Sequence, residues 1–170
     1  QIDRDKYRSF NSEARLFYKY KFLNLEQVLN TGIRVSHSRT LRQQLGKGDA
    51  GTDFNLNLQQ DSFPRALHFT TTNVALFAEQ LFQFTKNFSV TPGIRYEFIR
   101  NTTQGRIDNN HNGPVNINAN QKEYHVVLAG VGLQYTVFNT TNFYANAAQA
   151  FRPVLYSDLT PSSTTDVIDN

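Results

Sequence analysis

The side chains that most often do chemistry are scattered along this sequence. Its four histidines lie in four different segments, with no spacing typical of a metal site: His37, His68, His111 and His125. Serine, histidine and aspartate all occur, but no nucleophile elbow or comparable motif joins them. We therefore expect no catalytic site, no metal site and no cofactor, and the protein is predicted not to be an enzyme.

Two acidic patterns have a chemical and a structural interpretation. The run DNNHNG, from Asp108 to Gly113, resembles the first half of a calcium loop, but the closing glutamate position falls at Ala119, which favours an Asn-rich turn. Glu79 and Glu97 could form paired carboxylates on adjacent strands. Pairing with arginine on a solvated face is the simpler interpretation, because most such groups are structural.

Composition excludes several classes of protein. The 170 residues suffice for one domain, and the net charge of +3 is too small and too scattered for a nucleic-acid-binding surface, so no nucleic acid partner is expected. The chain has no cysteine, which excludes disulfide frameworks and thiolate metal sites. No apolar run approaches the roughly 18 residues of a membrane helix. Because the sequence begins at Gln1 and contains no methionine, we expect a piece of a longer protein.

The chain segments that would position any site are predicted strands, in which apolar and polar residues alternate with a period of two. In FSVTPGIRYEF, from Phe88 to Phe98, apolar residues occupy every second place except at Pro92, where we expect a local bulge with the ring toward lipid. Six such stretches predict an all-β, antiparallel meander of about six strands. The predicted strands cover about 13–22, 25–37, 67–84, 88–101, 123–137 and 142–152.

The predicted connections alternate in length. They are short after the first, third and fifth strands and long after the others, over 39–66, 101–121 and 153–170. Long unstructured loops are uncommon in compact soluble domains, whereas bacterial outer-membrane barrels pair short periplasmic turns with long extracellular loops and turn their apolar side chains outward. The pattern predicts an outer-membrane barrel wall with one face against lipid and the other toward the lumen.

The predicted lumen side carries a modest excess of positive charge. Alternation assigns to it six basic residues, Arg15, Lys19, Lys21, Arg34, Arg95 and Arg152, and four acidic ones, Glu13, Glu26, Glu79 and Glu97. A lumen of that sign would favour an anionic solute. For any single residue, an ion pair that braces the wall is the simpler interpretation. The same side carries glycines that suit a wide lumen: Gly32, Gly93, Gly130 and Gly132.

Several stretches resemble a known family. The run TTNVALFAEQLFQFTKNFSVTPGIRYE resembles the barrel region of TonB-dependent receptors, in which a strand, a brief turn and a TPGxRxE strand recur. YRSFNSEARLFYKYKF, LNTGIRV and NFYANAAQAFRPVLYSDLTP look like the ferric dicitrate receptor branch. The resemblance implies an outer-membrane receptor that binds a ferric chelate and imports it with energy relayed by the TonB complex.

The resemblance also implies that the chain is only part of the barrel. Such barrels have about 22 strands, and the sequence supplies six, without the plug domain through which a TonB complex would act. Candidate chelate-binding residues, chosen by face and charge alone, are Arg34, Arg42, Arg95, Gln149 and Arg152. The alternative is a small soluble β-barrel that holds an apolar ligand, with its apolar side chains inward and its charges outward.

Overall fold

In the computed structural model, which describes residues 1–49, 56–60, 63–109, 113–138 and 140–153, the chain forms one six-stranded antiparallel sheet with its strands in sequence order. The strands are β1 (Ile2–Phe22), β2 (Leu25–Gly46), β3 (Arg65–Gln83), β4 (Phe88–Asn109), β5 (Gly113–Val137) and β6 (Thr141–Ala148). The predicted antiparallel meander is thereby confirmed. No helix able to cross a membrane occurs among the described residues.

Strands β1 to β5 are longer than predicted at the end that carries the long connections, whereas β6 ends at Ala148 instead of about residue 152. β1 starts at Ile2 instead of about residue 13, and β2 continues to Gly46. The prediction of a long loop over 101–121 was wrong, because β4 runs to Asn109 and β5 starts at Gly113. Most side chains of these extensions are polar on both faces, so they show little alternation, yet their backbones still pair in ladders that one register shift interrupts in each hairpin. The predicted loop over 153–170 lies outside the described residues except for Pro153.

The register divides the side chains between two faces. One row across the sheet, on what we call the apolar face, contains Ala14, Ile33, Leu76, Tyr96 and Val127. The next row, on the opposite polar face, contains Glu13, Arg34, Ala75, Glu97 and Val126. The two faces hold the residue sets that alternation predicts.

The two faces differ in burial. On the apolar face Leu76 is 52% exposed and Val127 is 60% exposed, whereas on the polar face Ala75 is fully buried. Leu67, Phe69 and Ile99 are also buried on the polar side. The sheet is therefore concave on its polar face, and its apolar side chains cover the convex surface.

The apolar side chains form a band of limited height. We define the apolar band as the part of the apolar face between the row of Phe22 and Leu25 and the row of Ser12 and Val35. Ten residue steps span roughly 33 Å along a strand, which a tilt of about 40° reduces to about 25 Å, the height of the lipid-facing band in outer-membrane barrels. Aromatic rings cluster near the short turns. The centroid of the Phe88 ring lies 6.0 Å from that of Phe84 and 6.5 Å from that of Tyr135.

The first short turn is a tight hairpin. Leu23 and Asn24 separate β1 from β2, and both have positive φ angles, 50° and 61°. Two central residues with positive φ define the type I′ turn, whose twist matches that of the flanking strands. A two-residue connection of this kind agrees with the short turn predicted after the first strand.

Pro92 does not form the predicted bulge. It is paired with Val131 of β5, and the β3–β4 register is the same on both sides of it. The β3–β4 ladder only lacks the two pairs at this point, between Glu79–Gly93 and Phe82–Val90. A proline removes one ladder donor without requiring an extra residue, so an interrupted ladder in constant register satisfies the constraint.

A bulge does occur farther along the same hairpin, in β5. The β4–β5 register shifts between Thr103 and Gly105, where β5 contains one additional residue. Gly105 has a φ of +153°, and a Cβ atom there would lie 2.9 Å from the Cα of Leu67. Because a bulge reverses which side chains face inward, Val115 and Ile117 of β5 share the polar side with Ile107.

The described residues between β2 and β3, 47–49, 56–60 and 63–64, pack against one another and against the end of β2. Gly48 and Leu58 form an isolated bridge, and the amide of Gln59 donates to the carbonyl of Lys47 at 2.9 Å. A Cβ atom at Gly46 would lie 2.8 Å from side-chain atoms of both Leu58 and Phe63. These apolar side chains therefore pack directly on the end of β2.

Candidate functional site

The polar face carries a concavity of about 680 Å³ at mid-sheet, which we call the inner concavity. Strands β1 to β6 all contribute to its lining, because the rows of the polar face cross the whole sheet. The side chains that matter for its chemistry are Glu13, Arg15, Arg34, Phe77, Glu79 and Arg95. Its position on the curved, polar side corresponds to the lumen side predicted from the sequence.

Phe77 lies at the centre of this concavity. A Cβ atom at Gly32 would lie 2.6 Å from the ring of Phe77, so the ring rests directly on the β2 backbone. The guanidinium groups of Arg15 and Arg95 lie 5.5 Å and 6.0 Å from the ring centroid. Both distances fall within the range of cation–π attraction. The glycine thus has a packing role, in addition to the open space that the sequence suggested.

Both of these arginines are also held by carboxylates. Arg15 forms an ion pair with Glu13, and Arg95 forms one with Glu97, each two residues away on the same strand. Glu97 also accepts a hydrogen bond of 3.2 Å from the side-chain amide of Asn73. Arg15 and Arg95 are therefore braced, which agrees with the structural interpretation of these charges.

Arg34 is the uncommitted cation of the inner concavity. It lies directly opposite Glu13 in the β1–β2 ladder, but Glu13 is engaged by Arg15. Arg34 is exposed and forms no ion pair or side-chain hydrogen bond with the part of the chain that the structure describes. Its guanidinium is consequently available to an anion in the concavity.

Glu79 and Asn30 line the same concavity. The side-chain amide of Asn30 donates to Glu79 at 3.3 Å, while the Asn30 Oδ1 atom is buried and has no partner among the described residues. A buried acceptor without a donor is unfavourable and is usually satisfied by water or a ligand. The side chain of Asn30 braces Glu79 in the lining of the concavity.

The structure brings together three of the five predicted site residues. Arg34, Arg95 and Gln149 line the inner concavity, but Gln149 is used structurally. Its backbone amide donates to the Ala129 carbonyl at 2.9 Å, and its side chain accepts from the Ala129 amide at 3.0 Å. Gln149 thus extends the pairing of β5 beyond the end of β6.

The other two predicted site residues lie elsewhere. Arg42 is on the same face and strand as Arg34 but eight residues away, about 27 Å along the strand. It forms an ion pair with Asp5 at 3.2 Å. Arg152 follows β6, is exposed and does not line the inner concavity. Both lie outside the inner concavity, because sharing a face does not fix the position along a strand, and their role in binding a chelate in the lumen or at its mouth stays a prediction.

Phe77 was missed from the sequence. Alternation assigned its polar neighbours Asn73 and Glu79 to the lumen side, and Phe77 has the same parity, so the signal was present. An apolar residue on the polar face weakens the alternation of apolar and polar residues and does not by itself indicate a site, which explains the omission.

No cluster of three or more potential metal ligands occurs among the described residues. His37 shares a 2.9 Å hydrogen bond with Thr72, and His125 shares one of 2.7 Å with the Tyr96 hydroxyl. Within the DNNHNG run, Asp108 and Asn109 are the last residues of β4 and Gly113 is the first of β5, while 110–112 lie outside the described residues.

Two of the solved structures that resemble this sheet are of one receptor. Both are crystal structures of the ferric-catecholate import receptor Fiu from E. coli K12, and each is 14% identical to this chain. The closed form matches with a TM-score of 0.67 over 85% of this chain, and the open form with 0.70 over 88%. The chain spans 23% and 26% of their lengths, about a quarter of the receptor. At this identity the similarity shows the fold.

The sequence itself identifies the family. No curated protein matches it at a significant level. The sequence model of the family described as TonB dependent receptor-like, beta-barrel, matches residues 2–170. This match covers nearly the whole chain and agrees with the antiparallel sheet and its exposed apolar face. The chain therefore belongs to the TonB dependent receptor-like β-barrel family.

Proposed function

We propose that the chain is a wall segment of a bacterial outer-membrane receptor that binds and imports a ferric chelate of the siderophore or ferric citrate type. The observation that carries the proposal is the division of one curved sheet into an exposed apolar convex face and a polar concave face. In an outer-membrane barrel this division places lipid outside and a polar lumen inside. Family membership and the similarity to a ferric-catecholate import receptor support the same function.

The charge of the inner concavity favours an anionic ligand. Arg34 is an uncommitted cation within low-dielectric walls, where its field is stronger than in bulk water. Ferric complexes of catecholates and of citrate both present anionic oxygens, to which a guanidinium donates charge-assisted hydrogen bonds. Citrate-type specificity has support only from the motifs that resemble the ferric dicitrate branch.

The proposed activity requires no chemistry from these residues. A receptor of this kind works by binding its substrate differently in two states, and coupling would come from the TonB complex acting through a plug region outside this chain. The ferric chelate is the substrate, and the surrounding outer-membrane lipid and the TonB complex are the proposed partners.

The alternative of a small soluble β-barrel conflicts with the side of the sheet on which the apolar side chains lie. A small barrel around an apolar ligand would enclose its apolar side chains, whereas Leu76, Ile94 and Val127 are exposed on the convex side. Enclosing them would require the sheet to curl in the opposite sense.

Cell fractionation tests the proposed location and function together. A blot with an antibody against residues 101–121 should detect a band in the outer-membrane fraction, several times heavier than 19.5 kDa. Iron-starved cells that carry the intact gene should then accumulate radiolabelled ferric chelate, and cells that lack it should not. A soluble band near 19.5 kDa would contradict the proposal.

A further inference from the structure

Three cations lie on the apolar face just beyond the apolar band, at the end with the long connections. They are Lys6, Arg8 and Arg39, which we call the basic patch. Arg8 and Arg39 are directly opposite each other in the β1–β2 ladder, and Lys6 is two residues along β1 on the same face. All three are exposed. Phe10, the last large apolar residue of β1 before them, is 62% exposed and lies in the adjoining row.

Among the described residues, no carboxylate in the neighbouring rows neutralises this charge. Across β3 and β4 the two rows of the basic patch continue with Thr70, Thr102, His68 and Gln104, none of which is a carboxylate. Glu123, one row away on β5, is paired with Arg100 at 2.8 Å. The Arg39 Nε atom donates to His37 at 3.1 Å, which leaves the terminal nitrogens of its guanidinium unassigned.

Such an arrangement is unfavourable unless an anion is present. Like charges directly opposite each other on adjacent strands destabilise a sheet. Here the two arginines and the lysine also border a depression of about 450 Å³, which His68, Thr70 and Gln104 line as well. The depression provides room for a polyatomic anion between the three cations.

We propose that the basic patch binds the phosphate groups of an anionic lipid headgroup in the leaflet that surrounds the barrel. The inference rests on the proposed membrane location, because that location puts residues just above the apolar band into the headgroup layer. Basic residues at that level are attracted to anionic lipid. Two adjacent guanidinium groups can each engage phosphate oxygens bidentately, and the lysine adds a third positive charge.

The test measures binding to the detergent-solubilised parent receptor, which contains this chain. Native mass spectrometry would follow the titration of three probes: phosphatidylglycerol, zwitterionic phosphatidylcholine and inorganic phosphate. We expect Arg8→Gln/Arg39→Gln to weaken phosphatidylglycerol binding by about tenfold or more, since each substitution removes a charge-assisted contact. The control Lys86→Gln/Lys122→Gln removes two positive charges outside the basic patch and should change the affinity by less than about twofold.

A charge-retaining variant separates binding from folding. Arg8→Lys/Arg39→Lys should still prefer phosphatidylglycerol over phosphatidylcholine, with an affinity between those of the wild type and the glutamine variant. Equal losses in the patch and control variants would overturn the inference, and so would inorganic phosphate binding as tightly as the lipid. A receptor that imports its chelate normally but shows no lipid preference would overturn the lipid site alone. A parent protein outside the membrane would overturn both proposals.

Discussion

Individual residues on the polar face divide into braced and available charges. Arg15 and Arg95 are held by carboxylates and by the ring of Phe77, so their removal should disturb the wall itself. Arg34 has no such attachment within the described residues. Face assignment from alternation identified Arg34 and Arg95, because parity alone decides the face. It could not separate a braced arginine from a free one, because that depends on contacts between strands.

Arg34 gives a prediction about ligand affinity. Replacing it by glutamine should weaken binding of the ferric chelate to the parent receptor by about tenfold, the effect of losing one charge-assisted hydrogen bond. Equilibrium binding of radiolabelled chelate to isolated outer membranes measures the change. Lys19→Gln is the control, because Lys19 shares the polar face but is paired with Glu26 at 3.3 Å near the short turn. Unchanged affinity in Arg34→Gln would remove Arg34 from the site.

The facing of β4 gives a prediction about membrane assembly. Ile94 is 55% exposed on the apolar face, and its neighbour Arg95 is on the polar face. Ile94→Asp should destabilise the inserted barrel by up to about 2 kcal/mol, because it places a charge against lipid. Arg95→Ala should reduce assembly less. Quantifying both variants in the outer-membrane fraction tests this, and equal effects would contradict the assigned facing.

The parts of the strands that could be predicted from the sequence are those that lie within the apolar band. Between the short turns and the row of Ser12 and Val35, one face must be apolar and the other polar, so alternation located the strands. Beyond that row the convex face becomes polar, while Leu67 and Phe69 are buried on the opposite face, so the alternation expected at membrane level no longer marks the strands. The polar stretch 113–122 of β5 therefore looked like a loop in the sequence, although it pairs with β4.

The bulge in the β4–β5 hairpin gives a prediction at this scale. Gly105→Ala should disrupt the outer end of the hairpin, because the residue has a φ of +153° and its Cβ atom would press on the backbone of Leu67. The local penalty should be about 1–3 kcal/mol. Hydrogen exchange should show faster exchange in residues 113–117 and little change near the short turns.

Gly132→Ala provides a matched control for this substitution. A Cβ atom at Gly132 would meet its nearest neighbour, the Cβ of Thr91, at an ordinary 3.8 Å. Unaltered exchange in the outer hairpin of Gly105→Ala would show that the bulge does not depend on glycine.

The whole molecule is an open sheet. β1 and β6 form its two edges, and its convex surface exposes a continuous band of apolar side chains. Six strands cannot close a barrel of about 22 strands. The number and order of strands were predictable from the sequence, since each strand pairs with its successor. The curvature toward the polar face required the three-dimensional structure.

This architecture predicts how residues 1–170 would behave alone. Exposed strand edges and a large apolar surface favour pairing between copies. The isolated segment should therefore aggregate in buffer and become dispersed in detergent. Size-exclusion chromatography with light scattering, with and without detergent, distinguishes these states. A monodisperse monomer in buffer at high concentration would contradict the exposed apolar surface.

The continuous register between β2 and β3 limits how the length of these strands can vary through evolution. β2 and β3 pair from Val28 to Gln44 without a shift. A single inserted or deleted residue there would move every later side chain of that strand to the opposite face, exchanging lipid contacts for lumen contacts. Among relatives, gaps of any length should fall in 47–64 or at the tip around 110–112, and those within the membrane-level strands should be absent or compensated by a bulge.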